Sequence, residues 1–112
     1  MTKQIRQQVY YKYGGRCAYC GREIIFKDMQ VDHIFPQRMG GTSDIKNLNP
    51  SCRRCNHYKR AYRLERYREL ILKLHTKVQD IYLCKTAEDY GIITVKEWDG
   101  VFYFERAGGE NV

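Results

Sequence analysis

Val31-Asp32-His33-Ile34 sits between two Cys-x-x-Cys pairs, Cys17/Cys20 before it and Cys52/Cys55 after it. Four thiols in two close pairs can hold one tetrahedral metal ion and pin both ends of the 31 residues between the pairs. One pair alone would also fit a redox dithiol, whereas two matched pairs point to structural zinc, although the interval is longer than in most zinc ribbons. The pattern predicts a short chain stapled by zinc that holds an Asp-His pair at fixed geometry.

Length and charge bound the reading. At 112 residues the chain is expected to form one domain, residues 1–112, with a modest core that a metal staple would supplement. Nothing in Met1 to Arg6 resembles the apolar core of a signal peptide. No apolar run approaches the roughly 20 residues needed to cross a bilayer, so a soluble cytoplasmic protein without a membrane partner is expected. In a reducing compartment paired thiols favour metal over disulfides. The odd cysteine, Cys84, is expected to be a buried apolar thiol. Residues 1–60 carry 12 Lys or Arg against 4 Asp or Glu, while residues 61–112 carry 8 against 9. The whole basic excess thus accompanies the Asp-His stretch, as a polyphosphate partner would require.

Around this core, residues 2–13 read as an amphipathic helix with Ile5, Val9 and Tyr13 on one face, stopped by Gly14-Gly15. Two short strands are predicted at 24–26 and 30–34, the second ending before Pro36. Asp44 to Leu48 suggests a helical turn. From Tyr58 to Ile81, apolar residues at three- and four-residue steps predict one long amphipathic helix or two with a break. A C-terminal hairpin is expected from 92–97 and 101–106 across Trp98-Asp99-Gly100, with 107–112 frayed. His75 reads as an ordinary surface histidine. Composition marks no subdomain boundary, though one near 76–86 is conceivable.

The residue types in the centre suit phosphodiester hydrolysis. That reaction needs a base for water, positive charge against the transition state, and support for the leaving oxygen. His33 is suited to be the base, since imidazole titrates near neutrality. Asp32 offers a hard anionic oxygen and Asn56 a neutral carbonyl oxygen, a donor pair that suits Mg²⁺ or Mn²⁺. If the chain turned so that His57 replaced Asn56, Zn²⁺ or Ni²⁺ would be admitted. Strand neighbours point to opposite faces, so Asp32 and His33 converge only if the strand ends or twists there. Lys59, one turn beyond Asn56, is a candidate for holding a phosphate oxygen. Arg38, Arg53, Arg54 and Arg60 are further candidates for DNA contact.

Taken together, Cys17-Ala18-Tyr19-Cys20-Gly21, Val31-Asp32-His33-Ile34-Phe35-Pro36, Gly40-Gly41, Asn47-Leu48 and Cys52-Arg53-Arg54-Cys55-Asn56-x-x-Lys59 resemble the HNH nuclease family in its His-Asn-Asn variant, over about residues 16–60. The resemblance implies an α+β fold: a ββα-metal hairpin and helix stapled by a four-cysteine zinc, here flanked by an N-terminal helix and by the helical and hairpin extension of 61–106. It implies a metal-dependent DNA endonuclease with His33 as general base, Asp32 and Asn56 as ligands of the catalytic ion, and Asn47 fixing the hairpin loop and hence the His33 ring. Some members nick a single strand. The alternatives are a non-catalytic zinc module that binds nucleic acid through its arginines and Lys59, and a zinc-stapled protein-interaction domain working through its tyrosine-rich helix. A pure nucleic-acid binder has no use for an anionic oxygen aimed at phosphate.

Overall fold

The computed structural model describes residues 1–109. The chain divides into two compact units rather than one. The first is Met1–Leu64 together with the chain from Val101 onward, and the second is Glu65–Gly100. The boundaries fall there, and not near 76–86, because the C-terminal segment returns to the first unit and bonds to the Cys17–Cys20 turn.

In the first unit, α1 (Lys3–Tyr11) starts at Thr2, whose hydroxyl accepts the Ile5 N–H at 3.2 Å, an N-cap that satisfies one of the helix's unpaired donors. Val9 faces inward and packs with Met29 and Leu48 in a small core flanked by Ile5, Tyr10, Ile24 and Val31. That core lies under the hairpin carrying the Asp-His pair. β1 (Gln30–His33) pairs antiparallel with β2 (Leu48–Ser51), Asp32 opposite Asn49 and His33 opposite Leu48. The expected first strand at 24–26 does not form. Its backbone is engaged elsewhere: the Ile24 N–H donates to Gly15 O and the Ile24 carbonyl accepts from Tyr10 Oη, after which Phe26–Asp28 closes a 3₁₀ turn. The true partner, β2, contains Pro50. A two-stranded sheet leaves each strand an open edge where the missing N–H costs nothing, and the Pro50 carbonyl accepts from Ala18 N at 2.8 Å.

α2 (Arg53–Lys59) follows β2 directly, with Cys52 as its N-cap. The long helix expected beyond it is instead a series of short ones. α2 ends at Arg60, whose φ of 51° lies in the left-handed region. In the second unit, whose first helix opens at the boundary, α3 (Leu64–Leu72), α4 (Leu74–Gln79) and α5 (Tyr82–Asp89) follow. The apolar periodicity survives the breaks only in part. Tyr67 is buried, and Ile71, Leu74 and Val78 line an apolar groove with Trp98 and a half-buried Cys84, but Tyr58 and Ile81 are about half exposed.

The C-terminal hairpin is also absent. Ile92 and Ile93 turn their N–H groups back to the Ala87 carbonyl at the end of α5, so they are not free for a ladder. Residues 103–109 form α6 (Tyr103–Gly109) in the first unit. The first-turn N–H groups of Tyr103 and Phe104 donate to Tyr19 O and Ala18 O, at 3.2 and 2.7 Å, and the Glu105 carboxylate accepts the Phe102 N–H. Unpaired helix donors thus dock on the knuckle carbonyls, and Tyr19, Phe102 and Phe104 form an edge-to-face aromatic cluster. The expectation that 107–112 fray holds for none of 107–109, which are helical; 110–112 lie outside the described residues. No helix among the described residues is long and apolar enough to cross a membrane.

Candidate active site

The knuckle begins where Arg16 bridges to Glu23 and Cys17 N donates to Arg22 O at 2.8 Å. Gly21 turns the chain at φ 81°, a conformation that glycine adopts without strain. This brings Cys17 and Cys20 against Cys52 and Cys55, all four Sγ atoms within 4.8 Å of one another. A tetrahedron with metal–sulfur bonds of about 2.3 Å has edges of about 3.8 Å, and Cys20 Sγ lies 3.9 Å from Cys52 Sγ. The sulfurs also perturb one another. Hydrogen bonds from Cys20 and then Cys55 hold the Cys17 thiol far below the ordinary thiol range, while the bond to Cys17 pushes Cys20 up to about 11. The cluster thus favours negative charge on Cys17, which a dication would neutralise.

Between the two thiol pairs, the hairpin loop is closed by Asn47. Its Oδ1 accepts the Phe35 N–H at 2.9 Å, and its Nδ2 donates to Phe35 O at 3.2 Å and Thr42 O at 2.7 Å. Gly41 completes the closure, since a Cβ there would stand 1.8 Å from Phe35 O. The loop therefore leaves β1 just after His33 in one conformation. His33 Nε2 lies 3.1 Å from Ser43 Oγ, and Nδ1 has no hydrogen-bond partner among the described residues. In the tautomer whose Nε2–H donates to Ser43, Nδ1 keeps its lone pair and is basic.

Asp32 has a different environment. Its carboxylate is buried, accepts a short hydrogen bond from Tyr19 Oη, and is ion-paired to Lys59 Nζ at 3.1 Å. Lys59 is fully buried and donates also to His33 O, Ile34 O and Tyr62 O. Burial pushes the Asp32 carboxyl up from its ordinary range, with the Tyr19 hydroxyl and Lys59 pulling against it. Lys59 therefore does not present its ammonium to a phosphate, as its spacing from Asn56 suggested; it ties the hairpin to α2. Removing one member of a buried ion pair leaves the other uncompensated, at a cost of about 3–5 kcal/mol. Lys59→Met should lower stability by that amount in chemical denaturation, and Lys59→Met combined with Asp32→Asn should recover part of it. Full stability in the single variant would mean that the pair is not buried.

Asp32, His33 and Asn56 line one depression of about 300 Å³, with Arg38 and Arg60 among its other walls. Tyr19 and Lys59 occupy three of the roughly four lone-pair positions of the Asp32 carboxylate, two on Oδ2 and one on Oδ1, so Oδ1 retains one. The Asn56 amide has no hydrogen-bond partner among the described residues. Arg38 is anchored by two hydrogen bonds to Ala61 O, at 3.1 and 2.8 Å. Residues 17–69 match the family model described as HNH endonuclease. Over this stretch, just under half of its length, the chain is similar to HNH endonucleases.

The relatives it matches are much longer. It is 40% identical over 55 residues to the CRISPR-associated endonuclease Cas9 of Corynebacterium diphtheriae, a match covering 48% of this chain and 5% of that protein. To the same-named protein of Actinomyces naeslundii it is 43% identical over 47 residues, covering 41% and 4%. The crystal structure of the Type II-C Cas9 enzyme from A. naeslundii superposes with a TM-score of 0.53 at 32% identity, covering 58% of this chain and 8% of that one. The chain thus spans less than a tenth of the proteins it matches.

The two arginines expected at the DNA, Arg53 and Arg54, do not join Arg38 and Arg60 at the His33 depression. They line a separate groove together with His57. Of the two alternative ligands, therefore, Asn56 shares the depression with His33, and His57 does not. Sequence reasoning missed Tyr19 and Ser43. Tyr19 sits between two thiols in a motif where the sulfurs draw attention, and neither its hydroxyl nor that of Ser43 carries any periodic signal.

Proposed function

We propose that this chain is a metal-dependent DNA endonuclease in which His33 is the general base, Asp32 and Asn56 hold one Mg²⁺ or Mn²⁺, and the four cysteines hold structural zinc. The observation that carries the reading is the shared depression: an anionic oxygen with a remaining lone pair, a free amide oxygen and an unpartnered imidazole nitrogen meet at one site. The four-thiolate set fits zinc, and the oxygen donors fit the harder ions. A divalent ion bound there would supply Lewis-acid charge to the phosphate.

The chain's own residues account for the remaining work. His33 Nδ1 takes a proton from water, while Ser43 holds the opposite ring nitrogen and Asn47 holds the loop beneath it. Arg60 lines the depression and keeps a positive φ that costs on the order of 1–3 kcal/mol for a residue with a side chain. That cost is consistent with a role for its guanidinium at the phosphate. The burial of Asp32 against Lys59 also favours a second reading, a nucleic-acid-binding module without catalysis. Incubation of supercoiled plasmid with the protein separates the two. Relaxed or linear product is expected with added Mg²⁺ or Mn²⁺ and none without added ion. Retarded but uncut plasmid under every ion would support the binding module instead.

A further inference from the structure

α2 presents two different surfaces. Residues four apart share a face, so Asn56 and Arg60 line the His33 depression while Arg53 and His57, with Arg54 beside them, line a groove of about 610 Å³ on another side. Arg22 of the knuckle completes the basic wall, and Ile24 with the largely exposed Ile25 forms an apolar one. The guanidinium groups of Arg22, Arg53 and Arg54 are exposed and have no hydrogen-bond or ion-pair partner among the described residues. Two carboxylates also reach the groove. Glu23 is paired with Arg16 at 3.4 Å, which leaves Asp28 as the one facing three arginines.

We infer that this groove is a second nucleic-acid contact, taking a backbone phosphate that flanks the one at His33, with the sugar edge against Ile25. Unpartnered arginines beside an apolar wall suit a sugar-phosphate chain, because guanidinium matches phosphate in a bidentate manner and ribose has an apolar edge. An α-helix is about 10 Å across with its side chains, and a strand of duplex carries one phosphate per roughly 3.4 Å of axis. The second phosphate would then lie about three nucleotides or more from the scissile one. This contact rests on the nuclease reading for its first phosphate, and it adds a separate surface.

The test measures binding of a fluorescein-labelled duplex by anisotropy across a salt series, using the full chain with His33→Ala so that the DNA stays intact. Replacing Arg22, Arg53 and Arg54 together by Ala should raise Kd about tenfold or more at 0.1 M salt. The slope of log K against log salt should flatten by about 1, at roughly 0.9 for the one phosphate no longer neutralised. The corresponding triple Lys variant should keep most of the slope. Because two of these residues lie between zinc ligands, bound zinc is measured in each variant, and Arg22→Glu, outside both thiol pairs, gives an independent reading with the same expected direction. Kd and slope unchanged in the Ala triple and in Arg22→Glu, with the parent binding duplex, would overturn the groove alone. A parent that binds no duplex would overturn both the groove and the nuclease reading.

Discussion

Cys52→Ala is expected to abolish stoichiometric zinc binding and cooperative melting of the first unit. Structural zinc contributes about 10–16 kcal/mol of folding free energy in small four-ligand modules, while the apolar cluster under the hairpin is small, centred among the described residues on Val9, Met29 and Leu48. Cys52 does two things at once. Its sulfur belongs to the cluster, and by accepting the Cys55 N–H at 3.4 Å it caps α2. The loss should reach the His33 depression through Tyr19, which lies between Cys17 and Cys20 and whose hydroxyl bonds Asp32. Metal analysis and a thermal scan read the outcome; a cooperative transition at the parent temperature without zinc would show the staple to be dispensable.

His33→Ala should lower the single-turnover cleavage rate by about 10²–10⁴-fold, the usual contribution of a positioned general base, and leave stability nearly unchanged. The two effects separate because of where the ring sits. Among the described residues the imidazole bonds to Ser43 alone, and the loop around it is held by Asn47 and Gly41 whether or not the ring is there. Asp32 and Lys59 behave in the opposite way, since their substitution disturbs the fold as well as the chemistry. A parent-like rate in His33→Ala would require another base.

How much of the fold and the site is legible in the sequence depends on whether a residue's partner is local. Cys17, Cys20, Cys52 and Cys55 announce themselves by spacing, because two residues three apart on a tight turn or a helix start can reach one ion. Asn47 follows from the family resemblance, and the hydrogen bonds to Phe35 and Thr42 give that role its geometry. Lys59 is misplaced by its spacing, because helical periodicity states which face a residue occupies but not whether that face is covered; four acceptors on the hairpin and the following turn cover it. The C-terminal hairpin fails for a similar reason. β-branched and aromatic residues from 92 to 106 have strand propensity, but the carbonyls of Ala18, Tyr19 and Ala87, distant in sequence or at a helix end, take the N–H groups a ladder needs. The break at Arg60 carries no Gly or Pro, the usual marks of an interruption.

The ion concentration that gives half-maximal plasmid cleavage tests the central claim most directly, when compared between the parent, Asn56→Ala and His57→Ala, all loaded with zinc. If Asp32 and Asn56 hold the catalytic ion beside His33, Asn56→Ala should raise that concentration of Mn²⁺ by at least the roughly 10–100-fold that losing an outer-shell partner of a ligand costs, while His57→Ala, in the other groove, leaves it where it was. The same half-saturation in Asn56→Ala as in the parent, or a shift in His57→Ala alone, would contradict the account.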